Sequence, residues 1–530
     1  MIRLSQIKLS LNETEQILKK KVLQALQIPE SELKQYRIYK KSIDARRKHN
    51  IQFTYTIDAE VHNEKQVLKA NKKLVLAPLI QYTFPKSGDK PLEHRPVIVG
   101  AGPCGLFAGW LLAEAGYKPI LIERGQAIDE RTLSVEAFWK DGTLNPQSNV
   151  QFGEGGAGTF SDGKLTTRIK DPRCRQVLEV LVKNGAPENI LYEAKPHVGT
   201  DILKEVVKNI RKGIVDKGGE FRFNTQLKNL HVELGAVKKI ELSNGVTLET
   251  DVLIMAIGHS ARDTFEMLYQ QGVEMRTKPF AIGVRIEHPQ VLINKSQYGE
   301  SYNHPRLGAA EYHLTYQTKK ERAVYTFCMC PGGHVVAAAS EEGHQVVNGM
   351  SYHARDGINA NSALLVSVTP DDFESDHPLA GVKLQRKIEK AAFELGGGNY
   401  TAPVQKVGDF LKNKPTNALS SVKSTYEPRI KPTDLSQCLP AFIVDALKEA
   451  LPAMGKRIKG FNMDDAVMVG VETRSSSPVR ILRDKDSYMS SSTKGLYPAG
   501  EGAGYAGGIM SSAVDGIKIA EEIIASYKTE

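Results

Sequence analysis

Apolar and polar residues alternate over positions 2–9, the period of a strand with one covered face. The period then lengthens: Ile17, Leu18, Val22, Ala25 and Leu26 recur at three- and four-residue spacing. This predicts a helix over 13–27 that opens on a capping box of Asn12 and Glu15. Strand patterns return at 36–41 and 51–61. The stretch Pro85-Lys-Ser-Gly-Asp-Lys-Pro91 is a boundary signal. Residues 1–90 therefore read as a small α/β module.

A different pattern opens at Val97-Ile-Val, where an uninterrupted apolar run meets a glycine turn, a helix of small residues and a second apolar run ending at Glu123. That is a βαβ unit. Further on, 219–227 reads as a strand, 236–250 as a hairpin about Asn244-Gly245, and 251–258 as a buried strand. From 279 to about 452 the pattern is strands and loops with one clear helix at 384–395, an inserted domain. Strand, glycine loop and helix return at 495–508, with Ile509, Met510, Ala513, Val514, Ile517, Ala520 and Ile524 on one broad helical face. No internal repeat or low-complexity tract is present.

Composition narrows the class. The 530 residues are 41% hydrophobic and 25% charged, a balance suited to a large soluble core. No apolar run approaches the ~18 residues of a membrane span, and the first ten residues lack the apolar core of a signal peptide. Five cysteines in so long a chain point to a reducing compartment, so cytoplasm is the expectation. The net charge of +9 is spread along the chain. It permits an anionic substrate or nucleic acid without requiring either.

The glycine turn carries the first chemistry. Gly100 allows a tight turn, Gly102 lets backbone approach a pyrophosphate, and Gly105 lets the helix pack close to the strand. The helix that starts there aims free N–H groups and its positive end at phosphates. Glu123 stands about 20 residues on, where a carboxylate meets a ribose hydroxyl, with Arg124 beside it. The unit is a dinucleotide fingerprint. Three later returns of the chain select FAD over NAD. Ala256-Ile257-Gly258 ends a buried strand and comes close to the first turn. Gly500-Glu501 follows another strand and places an acid for a ribityl hydroxyl. The helix entered through Gly508-Ile509 aims its positive end at a flavin's N1/O2 edge, which gains negative charge on reduction.

Together these parts resemble the FAD-binding fold shared by glutathione-reductase-like flavoproteins. More narrowly, Ser42-Ile-Asp-Ala-Arg-Arg47, the loop from Phe152 through Gly153-Glu-Gly-Gly-Ala-Gly158 to Lys164-Leu165, Phe327-Cys-Met-Cys-Pro-Gly-Gly333 and Asn359-Ala-Asn-Ser-Ala363 resemble signatures of the uncharacterised bacterial FAD-dependent dehydrogenases, also labelled NAD(FAD)-utilising dehydrogenases. The resemblance spans essentially the whole chain. It implies that Gly153, Gly155, Gly156, Gly158 and Lys164 run beside the flavin ring and that backbone near Leu227 pairs with the adenine. One departure is Ile257, where such proteins commonly carry threonine; contact there would be backbone and apolar.

Catalytic candidates are fewer. Cys328 and Cys330 share one face of a regular strand, too far apart for an unstrained disulfide. They are candidates for relaying electrons or tuning the ring, or are simply packed in a sheet. His259, after the Ala-Ile-Gly turn, is a candidate general acid or base, with Arg262 close behind it. Arg474 and Arg480 bracket a serine run and are placed to clamp an anion. Tyr505 sits in the last glycine loop, near enough in sequence to cover a flavin edge. No second cysteine pair completes four metal ligands, so no metal is expected.

The expected architecture is α/β: a Rossmann-like FAD-binding domain in two parts, 91–278 and 456–530, an inserted α+β substrate or cap domain at 279–455, and the N-terminal module. The expected function is a FAD-dependent oxidoreductase passing hydride through flavin N5 to or from a small-molecule substrate. With a single fingerprint, NAD(P)H would act only as a transient reductant. The alternatives are a flavoprotein that grips RNA through Lys34, Arg37, Lys40, Lys41, Arg46, Arg47 and Lys48, or a FAD-bound sensor without turnover. Sequence leaves the oligomeric state open.

Overall fold

The computed structural model describes residues 1–78 and 82–529. A five-stranded parallel sheet runs Leu496–Pro498, Leu253–Met255, Val97–Val99, Ile120–Ile122, Glu220–Arg222. The first four strands are buried throughout, as uninterrupted apolar triplets covered on both faces must be. Helices Pro103–Glu114 and Ile509–Ser526 pack together over one face. Gly516 permits that closeness, since a Cβ there would overlap Cys104 O, and Gly105 lets the first helix sit on its own strand turn, where a Cβ would overlap Gly100 O. The other face carries a three-stranded antiparallel sheet, Leu227–Glu233, Ala236–Leu242, Thr247–Glu249, with helix Arg262–Gln270. The strand expected at 219–227 is two: Glu220–Arg222 joins the parallel sheet and Leu227 begins the antiparallel one. Between them Asn224 turns the chain at φ 51°, a left-handed conformation that asparagine tolerates.

A seven-stranded sheet stands over the strand ends, in the order Thr315–Gln317, Ala323–Cys330, Asn359–Val368, Phe280–Pro289, Val467–Glu472, Thr401–Lys406, Arg429–Pro432. Val467–Glu472 pairs with Phe280–Pro289 inside this sheet, so the chain returns to the nucleotide-binding part after residue 472, later than the expected 456. Helix 384–395 is present as Ala380–Gly396. The sequence pattern missed Gln290–Tyr298 and Ala441–Arg457. The second contains Pro452, which reads as a breaker, yet Ile443, Leu447, Ala450, Leu451 and Met454 form a buried stripe that holds it against the sheet.

The N-terminal segment forms an antiparallel sheet in the order Leu33–Asp44, Gln52–Val61, Ile2–Ser10, Val75–Leu76, backed by helix Leu18–Leu26. The expected capping box does not form. Glu15 accepts a hydrogen bond from Tyr55 Oη at 2.9 Å, and Glu13 takes the backbone role by accepting from Ser10 N at 2.7 Å. The module is not a separate body: Ile2, Val22 and Tyr55 share one apolar core with Ile286, Ile293 and Leu451 of the seven-stranded region.

Candidate functional site

One cleft runs from the glycine turn at the carboxyl end of Val97–Val99 to the seven-stranded sheet. Both helices that open on it begin at glycine with no side-chain cap: Pro103–Glu114 at Gly102 and Ile509–Ser526 at Gly508. Their first amides are therefore free donors at two separated points of one cleft. Glycine leaves the space between them open. A Cβ on Gly258, Gly507 or Gly508 would meet nothing within 4 Å, and one on Gly102 would meet only Gly156 Cα at 3.7 Å.

The acid of the fingerprint is partly spent. Glu123 is buried and accepts from the amides of Ala101, Gly125 and Gly153, each at 2.9 Å. An ionised carboxylate offers about four acceptor sites, so one remains for a ligand hydroxyl. Arg124 stacks on Phe152 and donates to Asp263 at 2.7 Å. Leu227, Ala256, Gly258, Glu501, Gly508 and Ile509 line the cleft, as do Gly156, Gly158 and Lys164. Gly105, Gly155 and Gly500 do not; they serve the scaffold around it. Gly155 N donates to Ala101 O at 2.8 Å, and Gly500 N donates to Asp515 at 2.7 Å.

The glycine-rich loop is wrapped around Arg131, which sequence reasoning missed. Fully buried, it donates to the carbonyls of Asn149 (3.0 Å), Val150 (3.1 Å), Gly153 (3.3 Å) and Glu154 (2.5 Å). Burial lowers its pKa to about 10. A Cβ on Gly153 would overlap it, which explains a glycine at φ 117°. From the far end of the loop Lys164 donates to the carbonyl of Met329, tying loop to sheet.

His259 lies in the cleft wall with Nδ1 3.2 Å from Glu501 Oε1, while its buried Nε2 has no hydrogen-bond partner among the described residues. Glu501 also accepts from Gly508 N at 3.2 Å. Its carboxylate thus orients the histidine and the last helix entry together.

The cysteines depart from the expected alternation. The strand bulges between Phe327 and Cys330, and Cys328 has φ 40°. Cys328 is exposed to the cleft, whereas Cys330 is buried and donates to Cys328 O at 3.3 Å. Both are free thiols. Desolvation pushes Cys328 up to about 12 and raises Cys330 as well, so both are neutral near pH 7. The bulge rests on Arg285, which is fully buried and donates to the Cys328 carbonyl, to Asn348 at 3.1 Å and to both oxygens of Glu472 at 2.9 and 2.8 Å. Asn348 and Glu472 line the cleft too. No periodicity or motif marks this arginine.

Other arginines are engaged elsewhere. Arg262 meets both oxygens of Glu389 (2.9 and 2.7 Å), and Arg474 meets the same carboxylate at 3.1 and 3.0 Å. Arg474 reaches the cleft wall but is committed to this buried pair, which is a correction to the expected anion clamp. Arg480 donates to Gly504 O at 2.9 Å outside the cleft wall. Tyr505 stacks against Arg483 and does not line the cleft, so it is not placed to cover a flavin edge. Part of the basic N-terminal run is paired: Arg37 with Asp58 (3.6 Å), Lys34 with Glu60 (3.7 Å), Lys41 with Glu15 (3.2 Å) and Arg46 with Asp44 (2.6 Å), whereas Lys40, Arg47 and Lys48 form no ion pair among the described residues.

A protein of Clostridium beijerinckii described only as uncharacterized is 53% identical over 529 residues, covering 99% of both chains. The chain belongs to that protein's family. Residues 279–475 match the model of a FAD-dependent protein's C-terminal domain, residues 98–136 an NAD(P)-binding Rossmann-like domain, and residues 1–60 a domain of unknown function. It carries the domains of a FAD-dependent protein. A shorter likeness, 46% over 57 residues, covers 11% of this chain and 21% of thiamine thiazole synthase from Methanococcus aeolicus. Among solved structures, glycine oxidase from Bacillus cereus is similar at TM-score 0.37 and 11% identity, over 83% of this chain and 99% of that one. A flavin-dependent brominase is similar at TM-score 0.36 and 13% identity, over 82% and 80%. No helix among the described residues is long and apolar enough to cross a membrane.

Proposed function

We propose that this cleft holds FAD, which would supply hydride exchange at flavin N5 with a small-molecule substrate. The observation that carries this reading is the continuity of one cleft from an uncapped helix start at Gly102 to the Cys328 bulge. When bound, FAD supplies the two-electron exchange. The chain supplies the rest. Amides at the start of Pro103–Glu114 would hold the pyrophosphate, the remaining acceptor site of Glu123 would hold a ribose hydroxyl, and backbone at Leu227 would meet the adenine. Amides following Gly508, with Gly156, Gly158 and Lys164, bear on the flavin's polar edge.

His259 holds or releases a proton at Nε2, oriented by Glu501. Cys328 closes the substrate end as a neutral thiol. The order of these parts supports kinship with glutathione-reductase-like FAD-binding proteins, and five free cysteines support a cytoplasmic setting. NADH or NADPH would be a transient reductant, since one fingerprint serves one resident dinucleotide. The test is an absorption spectrum of the purified protein followed by anaerobic NADH and NADPH. A yellow protein bleached by either is expected. A colourless protein that takes up no FAD would overturn the reading, and a yellow one that resists both would remove the nicotinamide step alone.

A further inference from the structure

A short antiparallel ribbon, Met275–Thr277 with Val479–Ile481, links the two halves of the molecule. One side, Met275, Val479 and Ile481, is buried. The other carries Arg276, Lys278 and Arg480. Arg276 stands directly across from Arg480, a like-charge pair that costs stability on its own. Lys278 has only long contacts, 3.4 Å to Pro279 O and 3.4 Å to Ser477 O, and burial together with Arg480 lowers its pKa. Arg480 keeps a buried Nε with no partner among the described residues, while its Nη2 donates to Gly504 O at 2.9 Å and its guanidinium lies 5.0 Å from the Tyr505 ring centroid. Two acids lie nearby. Glu501 is held by His259 and Gly508 N, and Glu274 sits at the ribbon's exposed end. Neither ion-pairs with the three cations among the described residues. The patch backs onto the last glycine loop: a Cβ on Gly504 would lie 3.2 Å from Lys278 Cδ and 3.2 Å from Arg480 Cα. The inner side of that loop lines the cleft through Glu501, Gly507 and Gly508.

We propose that this ribbon face binds the phosphate groups of a small ligand that acts at the adjoining cleft, in the first instance a nicotinamide nucleotide. Two guanidiniums and an ammonium on one side of a rigid ribbon suit a pyrophosphate or phosphomonoester, whose charge would relieve the Arg276–Arg480 repulsion. The nucleotide assignment rests on the proposed function; the phosphate site does not.

The test titrates inorganic pyrophosphate into FAD-loaded protein by calorimetry, then NADPH and NADH, for wild type and the double variant R276Q/K278Q. Arg276 is exposed and Lys278 half-buried, and circular dichroism with flavin absorbance checks the fold. Pyrophosphate affinity is expected to fall at least about tenfold in the variant, the worth of one charge-assisted hydrogen bond, and to weaken with salt. An NADPH preference over NADH that disappears in the variant supports the nucleotide. Loss of pyrophosphate binding with no nucleotide preference supports another phosphorylated ligand at the same site. Equal binding to both proteins, or no pyrophosphate binding to wild type, overturns the proposal. A failure of FAD loading would instead count against the proposed function.

Discussion

Arg285 and Glu472 form a bidentate pair directly beneath the cleft floor, at 2.9 and 2.8 Å, with the guanidinium wholly buried. The same arginine holds the Cys328 carbonyl and Asn348, so one side chain shapes the substrate wall from three strands. Removing either partner leaves an uncompensated buried charge. Glu472→Gln is expected to cost about 3–5 kcal/mol in urea unfolding. The double change Arg285→Met with Glu472→Met is expected to recover a large part of that loss while altering the cleft.

Glu389 sits between Arg262 and Arg474, and these cations hold its carboxyl well below the usual range despite full burial. A depressed folded-state pKa adds stability above the unfolded value, near 4.5, and that stability drains away as pH falls from there toward the folded value. Urea midpoints at pH 7 and pH 4 are expected to differ more for wild type than for Glu389→Gln. Equal differences would place the acid sensitivity elsewhere.

Gly508 has φ 117° and lines the cleft. Gly508→Val would both strain the backbone and drive a side chain into the path between the two helix starts. The expected outcome is a folded protein, by circular dichroism, that purifies without flavin colour.

Cys328 is reachable from the cleft but protonated, with its pKa pushed up to about 12. At pH 7 its thiolate fraction therefore lies below that of a free cysteine. Iodoacetamide, followed by peptide mass spectrometry, should label it slowly at pH 7, faster as pH rises, and more slowly again once FAD fills the cleft.

Legibility divides along contact range. The fingerprint from Gly100 to Glu123 was readable because strand, turn, helix and acid follow one another within one βαβ unit, and each residue type has a local reason. The helix Ile509–Ser526 and the hairpin over 236–250 were readable for the same cause. Arg131 and Arg285 were not. An arginine buried under carbonyls looks, in sequence, like any arginine on a helix or strand, since its partners lie 18–23 residues away in one case and 43–187 in the other. The cysteine pair departs from regular alternation for a related reason: the bulge is set by pairing with Asn359–Val368 across the sheet.

The sequence by itself determined that this chain binds a dinucleotide, through glycines whose missing side chains leave room and helix starts whose free amides meet phosphate. Tertiary structure alone decided what stands opposite. It committed Arg474 to Glu389, gave Glu501 to His259 as a partner, turned Cys328 into the cleft, and left Arg276, Lys278 and Arg480 without acids. Backbone room is a local property of residue type. Charge compensation depends on which distant strands come to lie side by side.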